Sequence, residues 1–252
     1  NVVAARVWNM GVHAAEAQMS DQTAFVLQGD TKNEDQVNTN GDYKVMVNEA
    51  YKPRSLDNGP RLEAYMVIGP GDQVDGTKYP WGWEQADYDD RKWKNAAGIA
   101  HPVPSGYGTD NIWTLSPRNI PHMEESRQRL AVLRRTDGIK VGADLLKGKQ
   151  PLTIAAHSKV SILIDQSFNT VAYPELLVSG GAGAKLTLSY TEALVDKDKE
   201  KGNRNEIEGK TVIGNYDIFE PDGGKNRLFR PLWFRTYRYV QMDIVTKNEA
   251  LV

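Results

Sequence analysis

Short runs of apolar residues, many of them alternating with polar residues, recur along this chain between clusters of turn-forming residues such as Gly69-Pro70-Gly71. A period of two is typical of β-strands, and helical periodicity is scarce apart from short helical turns expected at Glu49–Arg54 and Ala86–Ala96. Many short strands at this spacing predict an all-β fold of sandwiches or jelly rolls. The candidate strands are Val2–Trp8, Ala24–Gln28, Tyr43–Val47, Ala64–Ile68, Arg129–Arg134, Leu152–Ala156, Val160–Ile164, Tyr173–Val178, Lys185–Tyr190, Asn215–Phe219 and Tyr237–Val245.

The stretch His101–Arg127 is rich in proline, serine and glycine and lacks periodicity, which is typical of a seam between domains. We therefore predict two β-sandwich or jelly-roll domains, 1–125 with the linker and 126–252. The chain opens directly on the candidate strand Val2–Trp8, with no turn before it. The first domain is accordingly expected to be truncated at its N-terminal side.

Composition excludes several classes of protein. The formal net charge is −2, and charges of both signs are interspersed, so we expect no nucleic-acid partner and no binding to anionic membranes. No apolar run approaches the roughly 18 residues that a membrane-spanning helix needs. The chain has no cysteine, which excludes disulfides, thiol nucleophiles and thiolate metal sites.

The sequence lacks the local signatures of the common catalytic and nucleotide-binding sites. Gly180-Gly181-Ala182-Gly183-Ala184 is not followed by the pattern of a phosphate-binding helix, because residues 185–190 alternate like a strand, so a hairpin bend is predicted. No Gly-x-Ser-x-Gly motif occurs. The four histidines, which have no metal-site spacing, are His13, His101, His122 and His157.

Carboxylates are abundant but not paired by spacing. A glycosidase needs two carboxyl groups about 5–5.5 Å or about 6.5–9.5 Å apart, and the sequence marks no such pair, so no catalytic residue is predicted. Asp89 and Asp90 are interpreted as caps of a short helix, with calcium ligation as the alternative. The charge-dense run Asp196–Lys210 predicts a solvated loop between strands.

The aromatic stretch Tyr79–Trp83 allows two interpretations. Alternating rings at Tyr79, Trp81 and Trp83 share one face of an extended backbone, and aromatic rings either fill sandwich cores or stack on sugars. Core packing is the preferred interpretation. If the chain binds carbohydrate by itself, the predicted contacts are Trp81, Trp83, Trp113 and Glu84, with no cofactor and with assistance from calcium left open.

The segment from residue 160 to residue 240 carries several motifs in order. A strand ending at Asp165 is followed by Pro174-Glu175-Leu176, by the Gly-Ala-Gly bend, and by Tyr190-Thr191-Glu192-Ala193-Leu194. The closing part contains Tyr216-Asp217 and then 229–240. This order resembles the concanavalin-like β-sandwich of bacterial α-L-rhamnosidases.

Upstream motifs resemble the back half of the galactose-binding-like jelly roll that precedes this sandwich in the same family. They are Val7–Gly11, Thr23–Leu27, Asn48–Tyr51 and Trp81–Trp93. The resemblance implies an inverting glycoside hydrolase acting on rhamnose-containing glycans, exported to the periplasm or the exterior. It also implies a partner, an (α/α)₆ barrel that holds the catalytic acid and base, so no catalytic residue is carried over to this chain.

Three functions follow, in order of preference. The first is a non-catalytic ancillary segment of an α-L-rhamnosidase, supporting the catalytic domain or substrate recognition. The second is a stand-alone carbohydrate-binding module, and the third is a self-sufficient glycosidase that uses carboxylates of the charged run. Whether the chain is itself an enzyme is left open, although inactivity is preferred because the barrel is missing.

The strand at 233–240 is expected to be structural. Alternation would place Trp233, Arg235, Tyr237 and Tyr239 on one side and Phe234, Thr236, Arg238 and Val240 on the other. The two arginines need polar partners if they are buried. Asp217 and Glu192 are the candidates.

Overall fold

The structure, a computed structural model, describes residues 2–14, 22–54, 69–104, 113–142 and 144–252. It is almost entirely β-structure, which confirms the all-β fold class. In the described residues the helical elements are two short 3-10 helices, Gly11–His13 and Lys32–Val37, and no helix there is long and apolar enough to cross a membrane. The strands are β1 (Lys44–Val45), β2 (Tyr51–Pro53), β3 (Asp72–Asp75), β4 (Lys94–Asn95), β5 (Val103–Pro104), β6 (Thr114–Leu115), β7 (Val132–Asp137), β8 (Lys159–Ala172), β9 (Leu176–Val178), β10 (Lys185–Thr191), β11 (Tyr216–Glu220), β12 (Arg227–Phe229) and β13 (Arg235–Val245).

The described residues form two compact units. The first comprises 2–7, 22–47, 82–104 and 113–128, and the second comprises 8–14, 48–54, 69–81, 129–142 and 144–252. The first unit holds the antiparallel pair β1–β4 and the parallel pair β5–β6. Its 3-10 helix begins with a capping box, in which the backbone N–H of Thr31 donates to Glu34 at 2.9 Å. The division at residue 125 stays a prediction.

The second unit is built on a seven-stranded mixed sheet with the order β2-β3-β11-β10-β13-β8-β7. Its longest ladders join β10 to β13, from Lys185↔Val245 to Thr191↔Tyr239, and β13 to β8. One pair is parallel, β11 with β3, and the others are antiparallel. A separate two-stranded sheet pairs β9 with β12.

The main core lies between the large sheet and the β9–β12 pair. Leu186 and Leu188 of β10 pack there with Val178 of β9 and Phe229 of β12, all of them buried. The rings of Phe219 and Phe229 stack with their centroids 5.4 Å apart. The apolar alternation on β10 thus faces a second β-layer, as in a sandwich.

The opposite face of the sheet is covered by the charge-dense segment that was predicted to be a solvated loop. Ile207 of that segment is buried against Leu163 and Tyr239, together with Leu194. The hydroxyl of Tyr239 donates to the Arg204 carbonyl at 2.7 Å. The charged side chains are largely exposed, but the segment folds onto the sheet because it carries an apolar residue of its own.

A β-bulge changes the predicted alternation on β13. The register with β8 shifts between Tyr237 and Tyr239, so the residues on either side of Arg238 no longer share a face. Tyr237 packs in the main core and Tyr239 in the cluster on the opposite face. The predicted grouping of Tyr237 with Tyr239 is therefore wrong, because one extra residue reverses the side to which the next residue points.

Other local predictions differ from the structure. The apolar runs Val2–Trp8 and Ala24–Gln28 form no strand, and 86–96 contains turns and β4 rather than a helical turn. Residues 51–53, where a helical turn was expected, form β2. The candidate strand Ala64–Ile68 lies outside the described residues.

The glycine-rich bend joins strands of two different sheets and is not a hairpin. β9 pairs with β12, whereas β10 pairs with β11 and β13. Gly180 has a φ of 71°, and a Cβ there would lie 2.7 Å from the carbonyl oxygen of Ala250. Glycine is needed because the backbone is left-handed at a close approach of another chain segment.

A buried ionic network joins four neighbouring strands at one end of the sheet. Arg235 of β13 donates to both carboxylate oxygens of Asp217 on β11, at 3.1 and 2.6 Å, and lies 3.5 Å from Asp72 on β3. Tyr190 of β10 donates to Asp217 at 2.8 Å, and burial raises the pKa of its hydroxyl well above the ordinary value. Of the two carboxylates named as candidate partners for the arginines, Asp217 binds Arg235, whereas Glu192 lies 4.0 Å from Lys201.

A second network lies on the opposite face around Asp165. Arg238 donates to its two oxygens at 2.9 and 3.1 Å, and Arg134 of β7 donates at 2.6 Å. Burial alone would raise the pKa of Asp165, but the hydrogen bonds from Arg238 and the Ser167 N–H, together with the arginine charges, lower it. The polar partner predicted for Arg238 is thus Asp165.

Replacing the central arginine is expected to destabilise the second unit. Arg235→Met removes the guanidinium that lies beside the buried carboxylates of Asp217 and Asp72, so the free energy of unfolding should fall by about 3–5 kcal/mol. Urea denaturation followed by circular dichroism measures this. Arg135→Met is the matched control, because Arg135 is exposed and its loss should cost less than about 1 kcal/mol. Equal effects of the two substitutions would contradict the structural role of the network.

Stability is expected to fall in acid through Asp165. Its pKa is lowered in the folded state, so its contribution is complete above the ordinary carboxyl pKa and is lost as the pH falls through the lowered value. Between about pH 5 and pH 2 the melting temperature should decrease, and Asp165→Asn should be less stable at pH 7 and lose less on acidification. Asp89→Asn, at an exposed ion pair, is the control and should leave the pH dependence nearly unchanged. A wild-type acid profile in Asp165→Asn would refute the assignment.

Candidate functional site

Trp81 lies in the second unit, at the edge of the main core. Its indole N–H donates to the carbonyl of Gly76 at 2.8 Å, and its ring lies 4.3 Å from that of Tyr79 and 6.5 Å from that of Phe219. The guanidinium of Arg227 lies over the ring, 4.6 Å from its centroid. The ring is half-buried and held in one orientation, so a sugar would meet its remaining exposed part.

Arg227 also links Trp81 to Asp222. It donates to the two oxygens of Asp222 at 2.9 and 2.7 Å, and both side chains are about one-fifth exposed. Burial would raise the pKa of Asp222, but the hydrogen bonds from Arg227 and the Gly224 N–H lower it. An aromatic ring with a fixed donor–acceptor pair beside it can receive both the apolar face and the hydroxyls of a sugar.

The other predicted contacts belong to the first unit. Trp83 and Trp113 are half-buried there and Glu84 is exposed. The backbone between Trp81 and Trp83 is not extended, because Gly82 has a φ of 83° and the N–H of Gln85 donates to its carbonyl at 2.8 Å. The common face expected from alternation is therefore absent.

The candidate calcium ligands are engaged locally. Asp89 receives two hydrogen bonds from the Arg91 guanidinium, each at 2.7 Å, and one from the Arg91 backbone N–H. Asp89 thus accepts from a backbone N–H, as a cap would, but in a turn and not at a helix start. Within the described ranges, no three histidine or carboxylate side chains gather where a metal ion could bind.

Two carboxylates in or beside the charge-dense run lie near lysines. Glu192 is 4.0 Å from Lys201 and Glu206 is 3.9 Å from Lys210, and the two glutamate side chains are 42% and 65% exposed. The carboxyl groups whose pKa is lowered in the structure are those of Asp75, Asp89, Asp165 and Asp222. A general acid of a glycosidase needs the opposite shift.

Trp81 is expected to contribute more to stability than Trp83. Trp81→Ala removes a half-buried ring with a hydrogen bond and two aromatic neighbours, so unfolding should become easier by about 2–3 kcal/mol. Trp83→Ala should cost less, and urea denaturation of each variant measures the difference. A larger loss of stability in Trp83→Ala than in Trp81→Ala would contradict the assignment of Trp81 to the edge of the main core.

Comparisons with known proteins give the following. No family model matches the chain and no curated protein matches it. Among solved structures it is similar to the α-L-rhamnosidase of Aspergillus terreus, at 18% identity and a TM-score of 0.38, covering 72% of this chain and 18% of that one. It is also similar to the α-L-rhamnosidase of Dictyoglumus thermophilum, at 16% identity and a TM-score of 0.34, covering 71% and 17%.

A third similar structure is the Streptomyces avermitilis α-L-rhamnosidase in complex with L-rhamnose, at 19% identity and a TM-score of 0.33, covering 70% of this chain and 15% of that one. The chain thus spans less than a fifth of the length of each of these three proteins. Similarity at this level does not assign the chain to a family.

Proposed function

We propose that this chain is a non-catalytic β-sandwich segment of an α-L-rhamnosidase, a glycoside hydrolase that acts on rhamnose-containing glycans. The ordered motifs between residues 160 and 240 support the proposal. In this role the segment supports the catalytic domain or takes part in substrate recognition. Its partners are the glycan and a helical-barrel catalytic domain of the parent chain, and the parent enzyme is exported.

One observation carries the non-catalytic role. The buried carboxylates of the described residues are Asp72, Asp165 and Asp217, and each lies within ion-pair distance of an arginine. Guanidinium groups thus occupy these carboxylates, and the pKa of Asp165 is lowered, whereas a general acid needs a raised pKa. These charges hold strands together, and the acid and base must then come from another domain.

The alternative is a stand-alone carbohydrate-binding module with contacts at Trp81, Trp83, Trp113 and Glu84 and with calcium assistance. It is favoured by the partial exposure of the three indole-bearing residues and the exposure of Glu84. Titration of L-rhamnose with and without calcium, followed by tryptophan fluorescence, distinguishes the carbohydrate-binding module from the ancillary segment. Saturable binding that Trp81→Ala and Trp83→Ala remove would support the module.

We expect the isolated chain not to hydrolyse an aryl α-L-rhamnoside above the rate of the buffer. The reason is that the buried carboxylates of the described residues lie within ion-pair distance of arginines, and that Glu192 and Glu206 lie near lysines. A full-length α-L-rhamnosidase assayed in parallel shows that the assay detects turnover. Turnover that Glu192→Gln or Glu208→Gln abolishes would contradict the proposal and favour a self-sufficient glycosidase.

The parent enzyme is tested separately by sequencing the gene on both sides of this segment. A downstream reading frame that encodes an (α/α)₆ barrel is expected. A frame without one would overturn the rhamnosidase assignment even if the chain is inactive.

A further inference from the structure

An asparagine of the first unit is followed directly by a glycine, in the turn that leads into β1. Asn40 and Gly41 are both exposed to solvent, and Gly41 has no side chain that could shield the peptide bond between them. The N–H of Gly41 donates to no acceptor in the described residues. This backbone nitrogen is therefore accessible as a nucleophile toward the side chain that precedes it.

The side-chain amide of Asn40 is held in one orientation by two hydrogen bonds. Its Oδ1 accepts from the backbone N–H of Asp42 at 2.7 Å, and its Nδ2 donates to the carbonyl of Asn38 at 3.2 Å. A donor on the amide oxygen stabilises the oxyanion that forms when a nucleophile adds to the carbonyl carbon. The turn thus activates Cγ of Asn40 for attack.

We propose that Asn40 is a deamidation site, at which the chain reacts with water to give aspartate and isoaspartate. The Gly41 nitrogen loses its proton to the solvent and bonds to Cγ of Asn40, and the Cγ–Nδ2 bond breaks to release ammonia. Water then opens the cyclic imide. Cleavage between the nitrogen and Cγ gives aspartate, and cleavage between the nitrogen and the backbone carbonyl carbon gives isoaspartate. The reaction needs neither a glycan nor a catalytic domain, so it is independent of the proposed function.

Two asparagines close to Asn40 in the sequence lack the following glycine. Asn33 precedes Glu34 and Asn38 precedes Thr39, and in both cases the next side chain crowds the attacking nitrogen. Asn33 is exposed like Asn40, whereas Asn38 is half-buried. Asn33 therefore separates the effect of the glycine from the effect of solvent exposure.

The reaction changes the turn in charge and in length. Both products add a negative charge close to Asp42, and isoaspartate also adds a methylene group to the backbone. The N–H of Tyr43 donates to the carbonyl of Asn40 at 3.4 Å, and the carbonyl of Tyr43 accepts from the N–H of Ala96 at 2.7 Å. Because a longer backbone displaces Tyr43 from these partners, we expect isoaspartate to weaken the adjoining β1–β4 pair.

The site is tested by incubating the full chain at about pH 6 and about pH 8 and digesting it with trypsin. Residues 33–44 form one tryptic peptide, which contains Asn33, Asn38 and Asn40, and the other Asn-Gly bond, at residues 58–59, falls in a separate peptide. Tandem mass spectrometry should locate a gain of about 1 Da at Asn40 and at neither other asparagine of this peptide. Conversion should be about tenfold faster for each unit of pH, because the attacking nitrogen must lose its proton.

Gly41→Ala is the matched control. The φ angle of Gly41 is not positive, and an added Cβ would have the carbonyl oxygen of Ala96, 3.9 Å away, as its nearest contact. The variant should therefore fold normally, which a thermal melt verifies. It should convert about tenfold more slowly or less, because the methyl group crowds the nitrogen. Asn40→Gln, which would have to close a larger ring, should show no gain at this position.

A synthetic peptide of residues 33–44 measures the reaction without the fold, and the folded chain should convert at a comparable rate. The proposal is overturned if the peptide converts and the folded chain does not, or if the mass gain lies at Asn33 or Asn38. Equal rates in Gly41→Ala and the unmodified chain would overturn it as well, as would a rate that does not change with pH.

Discussion

The buried ion pair between Arg235 and Asp217 is the interaction on which the second unit depends. Four adjacent strands, β3, β11, β10 and β13, each contribute one group to its network. Buried charges are tolerated only in such fully bonded geometry, so the network fixes the relative positions of the strand ends. Asp72 also accepts from the Leu232 N–H at 2.7 Å, which places the connection that carries Trp233 and Phe234. The ionic network therefore also holds the connection that leads into β13.

Strands with long alternating patterns could be predicted from the sequence, and those defined by distant partners could not. Residues 185–190 alternate over a full strand, and β10 forms there. The apolar run at Val2–Trp8 forms no strand in the described residues, since an apolar run becomes a strand only where a neighbouring strand pairs with it. β3, with the polar sequence Asp-Gln-Val-Asp, was missed because its strand character comes from pairing with β11 far along the chain.

The side-chain pairs of the second unit also differ in whether the sequence could predict them. The Arg235–Asp217 pair followed from the need of a buried guanidinium for a carboxylate, and the sequence motifs supplied the partner. The Arg230–Glu175 pair could not be found, because its members are 55 residues apart and meet only when β9 pairs with β12. The bulge at Arg238 could not be predicted either, because Tyr237 and Tyr239 are both aromatic and also fit a strand with strict alternation. Arg227 lies at the start of β12 and Asp222 lies before that strand, and no sequence pattern marked their pairing.

β13 uses the same chemistry on both of its faces. Arg235 binds Asp217 on the side of the main core, and Arg238, at the bulge, binds Asp165 on the other side. The bulge lets Arg238 and Tyr239 share that second side, where Tyr239 also holds the charge-dense segment through the Arg204 carbonyl. One strand therefore organises both layers with arginine–carboxylate pairs. The buried carboxylates of the described residues thus stabilise the architecture of the second unit.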